Sequence, residues 1–193
     1  MPHDLKKTAL FAALLAFGIA GTASAQLAPK SKPPVRAPSS LSHDDRDFAN
    51  KAGAGGLAEV EMGRVAQQVT KNAEVKKFAD RIVADHTKAN DELKALAAAK
   101  SITLPASPSR VTHMKMEKMA KETGAKFDHE YLEHMIEDHK KDIKDFEKQA
   151  KTGKDPDLTK WAGDKLPTLQ EHLKLAESTF AAVKSGKKDA KKK

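Results

Sequence analysis

The sequence contains no cysteine, one tryptophan and one tyrosine, and only 5% of its residues are aromatic. Without cysteine there is neither a disulfide nor a thiolate, so any metal must be held by nitrogen, oxygen or thioether groups, and an oxidising compartment makes no demand on the fold. Few aromatics alongside 39% hydrophobic and 32% charged residues argue against an all-β fold and fit aliphatic seams between charged helices. At 193 residues the chain suffices for one well-buried domain.

The long apolar run that the body of the chain lacks is found at its start. Lys6 and Lys7 precede an uncharged apolar stretch from Thr8 to Ala20, and Ala23-Ser24-Ala25 supplies the small residues a signal peptidase requires. This pattern predicts a signal peptide over 1–25, cleaved after Ala25, and a periplasmic location. The alternative is an uncleaved anchor, since the uncharged stretch reaching Leu27 approaches membrane-spanning length, but Gly21, Thr22 and Ser24 favour cleavage. Residues 26–42 hold Pro29, Pro33, Pro34 and Pro38 and read as a flexible linker. The net charge of +8 draws five charges from Lys187, Lys188, Lys191, Lys192 and Lys193 in a basic, disordered tail over 185–193. For an exported protein the expected partners include no nucleic acid; the tail either keeps the protein soluble or makes peripheral contact with anionic envelope components.

Residues 43–184 carry four long helical patterns. Phe48, Ala52, Gly55, Glu59, Met62, Ala66 and Val69 recur at steps of four and three, one stripe of a first helix that turns near Asn72. Asn72 is the expected N-cap of a second helix, with Val75, Ile82, His86, Leu93 and Leu96 on its buried stripe. Pro105 and Pro108 end it, and Arg110 to Glu122 forms a short connecting helix stopped by Gly124. Asp128 is the expected N-cap of the next long helix, with Phe127 and Leu132 as a hydrophobic staple and a stripe of Leu132, Met135, His139, Ile143 and Phe146. Asp155-Pro156 caps and starts the last, carrying Leu158, Ala162, Leu169, His172, Ala176 and Phe180, with a kink predicted at Pro167. Two helical hairpins joined by a long connection predict an all-α, ferritin-like up-down four-helix bundle whose crossover carries a short extra helix.

Four residues break the apolar stripes, one on each long helix: Glu59, His86, His139 and His172. Glu59 and His86 are equidistant from the Asn72 turn, and His139 and His172 from Asp155-Pro156, so each pair is level within its hairpin. All four lie roughly 20–25 Å along their helices from the nearer turn at 1.5 Å per residue, and therefore converge near mid-bundle. Buried without partners, each would cost several kcal/mol, so they either bond one another or hold a metal. Three imidazoles and a carboxylate suit one divalent ion of zinc, iron or copper, with Met62 and Met135 a turn away as thioethers that suit copper. The alternative is a polar layer that only fixes helix register. Asp85, Asp138 and Glu171 each precede a histidine and either orient imidazoles across helix boundaries or pair with lysines in solvent. His43, His113, His129 and His134 fall off the stripes and read as surface residues, and Met114, Met116 and Met119 as a cover for the bundle end.

The stretches FANKAGAGGLAEVEMG (48–63), VKKFA (75–79), DHTKAN (85–90), FDHEY (127–131) and LPTLQEHL (166–173) resemble the bacterial exported family called domain of unknown function 4142, placed in the ferritin-like superfamily. The resemblance implies that fold and no assigned biochemical role; members are labelled outer-membrane or membrane proteins on the strength of their signal peptide. Ferritin-like di-iron proteins use Glu-x-x-His on two helices. Here the positions three before the histidines are Val83, Ile136 and Leu169, so the resemblance implies neither ferroxidase nor oxygenase activity. With no nucleophile, oxyanion site or substrate legible, the expectation is an exported bundle that binds a metal in envelope stress or metal handling, or else a non-catalytic envelope interaction protein.

Overall fold

The computed structural model describes residues 41–190, with side chains to residue 185; the expected signal peptide and residues 26–40 of the linker lie outside the described residues. Five helices follow one another: α1 (His43–Val69), α2 (Ala73–Ala99), α3 (Arg110–Met119), α4 (Gly124–Thr152) and α5 (Pro156–Ala190). Among the described residues there is no strand, and no helix is long and apolar enough to cross a membrane.

The caps explain most boundaries. Ser42 Oγ accepts from the Asp45 amide at 3.1 Å to open α1, and Asn72 Oδ1 accepts from the Glu74 and Val75 amides to open α2. Asp155 Oδ1 takes the amides of Asp157 and Leu158, and Pro156, which has no amide to satisfy, is the first residue of α5. The remaining expected cap, Asp128, is corrected. Helix α4 starts at Gly124, whose φ of +57° suits the missing Cβ, and Asp128 lies inside the helix, buried, accepting a hydrogen bond from Thr70 Oγ1 at 2.6 Å. Asp128 thus ties the start of α4 to the end of α1. At the other end of α1, Asp45 accepts from Gln149 Nε2 and from the amides of Lys154 and Asp155 in the α4–α5 turn.

These ties set the topology. Helices α1 and α2 form one antiparallel hairpin and α4 and α5 another; α1 also packs on α4 and α2 on α5. Because α2 ends beside the start of α5, where Lys100 Nζ meets Asp155 and Asp157 at 2.7 Å, the chain must travel the length of the bundle before α4 begins. That crossover lays Leu104 over Gly53 and brings α3 against α1 and α4, burying Met116 and Met119 and leaving Met114 exposed. Leu41 and Ser42, assigned by composition to the linker, belong to the bundle: Leu41 is buried in the core and Ser42 is the cap. Helix α5 continues through Pro167 and past Lys184 to Ala190.

The core is two apolar clusters. One holds Met62, Val75, Phe78, Ile82, Phe127, Tyr131, Leu132 and Met135, the other Phe48, Leu93, Phe146, Leu158, Trp161 and Leu169. On every long helix the residue between the two clusters is polar.

Candidate metal centre

That polar layer is Glu59, His86, His139 and His172, buried to 2%, 6%, 0% and 0% exposure. The stripe-breaking residues therefore meet, one from each long helix. The ring centroids of His86, His139 and His172 lie 5.2–5.5 Å apart in every pair, and one nitrogen from each ring lies within 4.8 Å of one from each of the others.

Neighbours fix which nitrogen of each ring carries a proton. His139 Nδ1 lies 2.8 Å from the Met135 carbonyl, which can only accept, so Nδ1 is the N–H and Nε2 holds a lone pair. His172 Nε2 lies 2.9 Å from Asp85 Oδ2. Burial works against the Asp85 carboxylate, but hydrogen bonds from Arg81 and His172 hold it below its ordinary range, so it accepts and His172 Nδ1 holds the lone pair. Those two lone-pair nitrogens face each other at 3.3 Å. Neutral rings place no proton between them. His86 Nδ1 is 2.7 Å from Glu59 Oε2, which leaves His86 Nε2 buried with no hydrogen-bond partner.

Protonating a ring would relieve the repulsion, but the site opposes it. Burial pushes His86 down to about 4 and, with the charge of His86, His172 to about 4; burial also lowers His139, against the attraction of Glu59. Burial raises Glu59 to about 7, with His139 pulling the other way. The layer is short of positive charge.

Glu59 does not join the converging nitrogens. Its oxygens lie against the proton-bearing sides of the rings, 2.7 Å from His86 Nδ1 and 3.4 Å from His139 Nδ1, and Oε1 has no hydrogen bond because the His139 N–H goes to Met135. It is placed to orient His86 and to balance charge.

Of the acids beside the histidines, one reaches a layer histidine across a helix boundary. Asp85 holds His172 and is gripped by Arg81, which also reaches Glu171 at 3.2 Å. Asp138 instead faces His134 at 3.2 Å. His134, expected at the surface, is 9% exposed, and it lines a cavity with Lys115 and Met119 of the crossover helix. Asp142 is the residue that stripe reasoning missed. It lines a cavity with Glu59 and His86, and burial, then the charge of Glu59, raises it to about 8. Its spacing of three after His139 was the available signal. Met62 and Met135 are buried in the apolar cluster on one side of the layer.

Similar proteins share this scaffold. A DUF305 protein from Streptomyces coelicolor, described as secreted, is 16% identical and superposes with a TM-score of 0.64 over 72% of this chain and 92% of its own. A DUF305 fragment from Deinococcus radiodurans is 10% identical, with a TM-score of 0.66 over 75% and 99%. CopM in its Cu(I)-bound form is 18% identical, with a TM-score of 0.60 over 72% and 96%, and its Cu(II)-bound form aligns similarly. At these identities the likeness is one of fold. No curated protein matches the chain. The family model described as "Domain of unknown function (DUF4142)" matches residues 30–179, and the chain belongs to that family.

Proposed function

We propose that the protein is an exported bundle that binds one first-row transition-metal ion at its centre, through His86, His139 and His172, and serves in handling that metal in the cell envelope. One observation carries the reading: His139 Nε2 and His172 Nδ1 present lone pairs to each other at 3.3 Å in a site that resists protonation. A tetrahedral ion with Zn–N bonds of about 2.0–2.1 Å separates its ligands by about 3.3–3.4 Å, so the spacing of these two nitrogens suits a cation, and His86 brings a third nitrogen within 4.8 Å of the cluster. Glu59 then acts as the charge-balancing carboxylate that orients His86, and Asp85 as the acceptor that orients His172.

Imidazole ligands suit copper and zinc alike. Copper is the better candidate, on its place at the top of the affinity order for such donors and on the copper-bound state of a structural neighbour. Export is supported by the pattern of residues 1–25 and by the description of a neighbour as secreted. The reading of the layer as structure alone draws on the 2.7 Å Glu59–His86 contact, but it leaves His86 Nε2 and the facing lone pairs without a partner.

The test is metal analysis and competitive titration of the mature chain purified without a histidine tag. The expected result is one copper or zinc per chain, a higher melting temperature on loading, and loss of both when His139 and His172 are replaced by Ala. Wild-type protein that takes up no stoichiometric metal and shows no thermal shift with copper, zinc or iron contradicts it.

A further inference from the structure

One side of the histidine cluster is open. A cavity of about 110 Å³ lies against it, lined by Glu59, His86 and His172 but not by His139. Ala52, Gly56 and Ala89 are the small residues of its lining on α1 and α2, and the exposed Lys88 stands among its lining, so the space reaches solvent. A single water needs about 10–15 Å³ measured this way, so the cavity takes several.

Three imidazoles fill three places of a tetrahedral ion. Sealed structural sites supply a fourth protein ligand, whereas sites with three protein ligands keep one position for a molecule from solvent. Glu59 is the nearest candidate for a fourth, and it is engaged 2.7 Å from His86 Nδ1, on the nitrogen turned to the carboxylate. The ring whose Nε2 has no partner, His86, is one of those that line the cavity. Asn90 and Thr168 also line it and bring hydrogen-bonding groups, and its charged lining is mixed, with Lys88 and Lys165 alongside Asp85 and Asp142.

Building on the metal-binding reading above, we infer that the ion bound by His86, His139 and His172 keeps an open coordination position facing this cavity, filled from solvent and available to a small monodentate anion. The centre is then built to exchange ligands, which a protein that takes up and surrenders metal requires and a purely structural ion does not.

The experiment is an azide titration of the Cu(II)-loaded full mature chain, followed by absorption and electron paramagnetic resonance. The account expects a saturable azide-to-copper charge-transfer band at one azide per copper. Ala52→Leu and Ala89→Leu, made separately, fill the cavity from α1 and α2; the variant that folds and binds one copper should lose azide affinity by at least about tenfold. A copper-loaded wild type whose spectra ignore azide overturns the inference while leaving metal binding intact. So does azide affinity unchanged in a folded, copper-loaded variant. A wild type that takes up no copper removes the copper centre on which this inference rests, and one that takes up neither zinc nor iron as well overturns the metal-binding reading itself.

Discussion

A neutral imidazole has one lone pair, and whatever accepts its N–H decides where that lone pair points. In this protein the decision is made by a backbone carbonyl for His139, by Asp85 for His172 and by Glu59 for His86. Asp85 is the clearest case, because its partner lies on another helix and Arg81 holds it in place. Replacing it with Ala should lower metal affinity by about 10–100-fold, read by competitive titration, and cost the metal-free protein about 1–3 kcal/mol, because the buried His172 N–H loses its acceptor. Asp138→Ala is the control: the same acid-histidine dipeptide, but facing His134, and it should leave affinity unchanged. The four layer residues were legible in the sequence because each breaks an apolar stripe at a matched distance from its turn. Which flanking acid reaches a histidine was not legible, because that depends on how two helices rotate against each other. Asp142 escaped for a simpler reason: the ferritin-like pattern puts an acid three residues before a histidine, and this one stands three after.

At the scale of elements, most helix ends followed from Ser42, Asn72 and Asp155, whose side chains take amides that the helix leaves unpaired. Asp128 misled because its oxygen serves Thr70 on another helix, a tertiary use that local pattern cannot separate from a cap. His134 misled because the crossover helix packs on α4 beside a face that reads as polar. Asp45 shows what such buried acids do. Burial raises it, yet bonds from Ser42, Gln149 and the amides of Lys154 and Asp155 hold it below the ordinary carboxylate range. Asp45→Ala leaves those donors unpaired at the junction of α1 with the α4–α5 turn. The expected loss is about 1–3 kcal/mol in chemical denaturation, without effect on metal stoichiometry.

For the whole molecule, the polar layer divides one core into two apolar clusters, and its charge sets how the metal-free fold responds to pH. Burial raises Glu59 from 4.5 to about 7 and Asp142 from 3.8 to about 8, so their contribution is present below the unfolded values and lost as pH rises through the folded ones. Asp142, with its side chain 22% exposed, counts for less. Burial lowers His86 and His172 from 6.5 to about 4, so theirs is present above 6.5 and lost as pH falls toward 4. The two sets oppose each other between about pH 4.5 and 6.5. The melting temperature of chelator-treated protein should therefore hold in that window and fall from pH 6.5 to 8; a bound cation, by favouring the ionised carboxylates, should flatten that alkaline fall.

The central claim is that the crossing point of four helices is a metal site formed by three histidines. Anomalous diffraction from crystals of copper- or zinc-loaded protein tests it most directly. The account predicts a single strong peak about 2.0–2.1 Å from one nitrogen each of His86, His139 and His172. A loaded crystal with ordered rings in this layer and no anomalous density among them would contradict it.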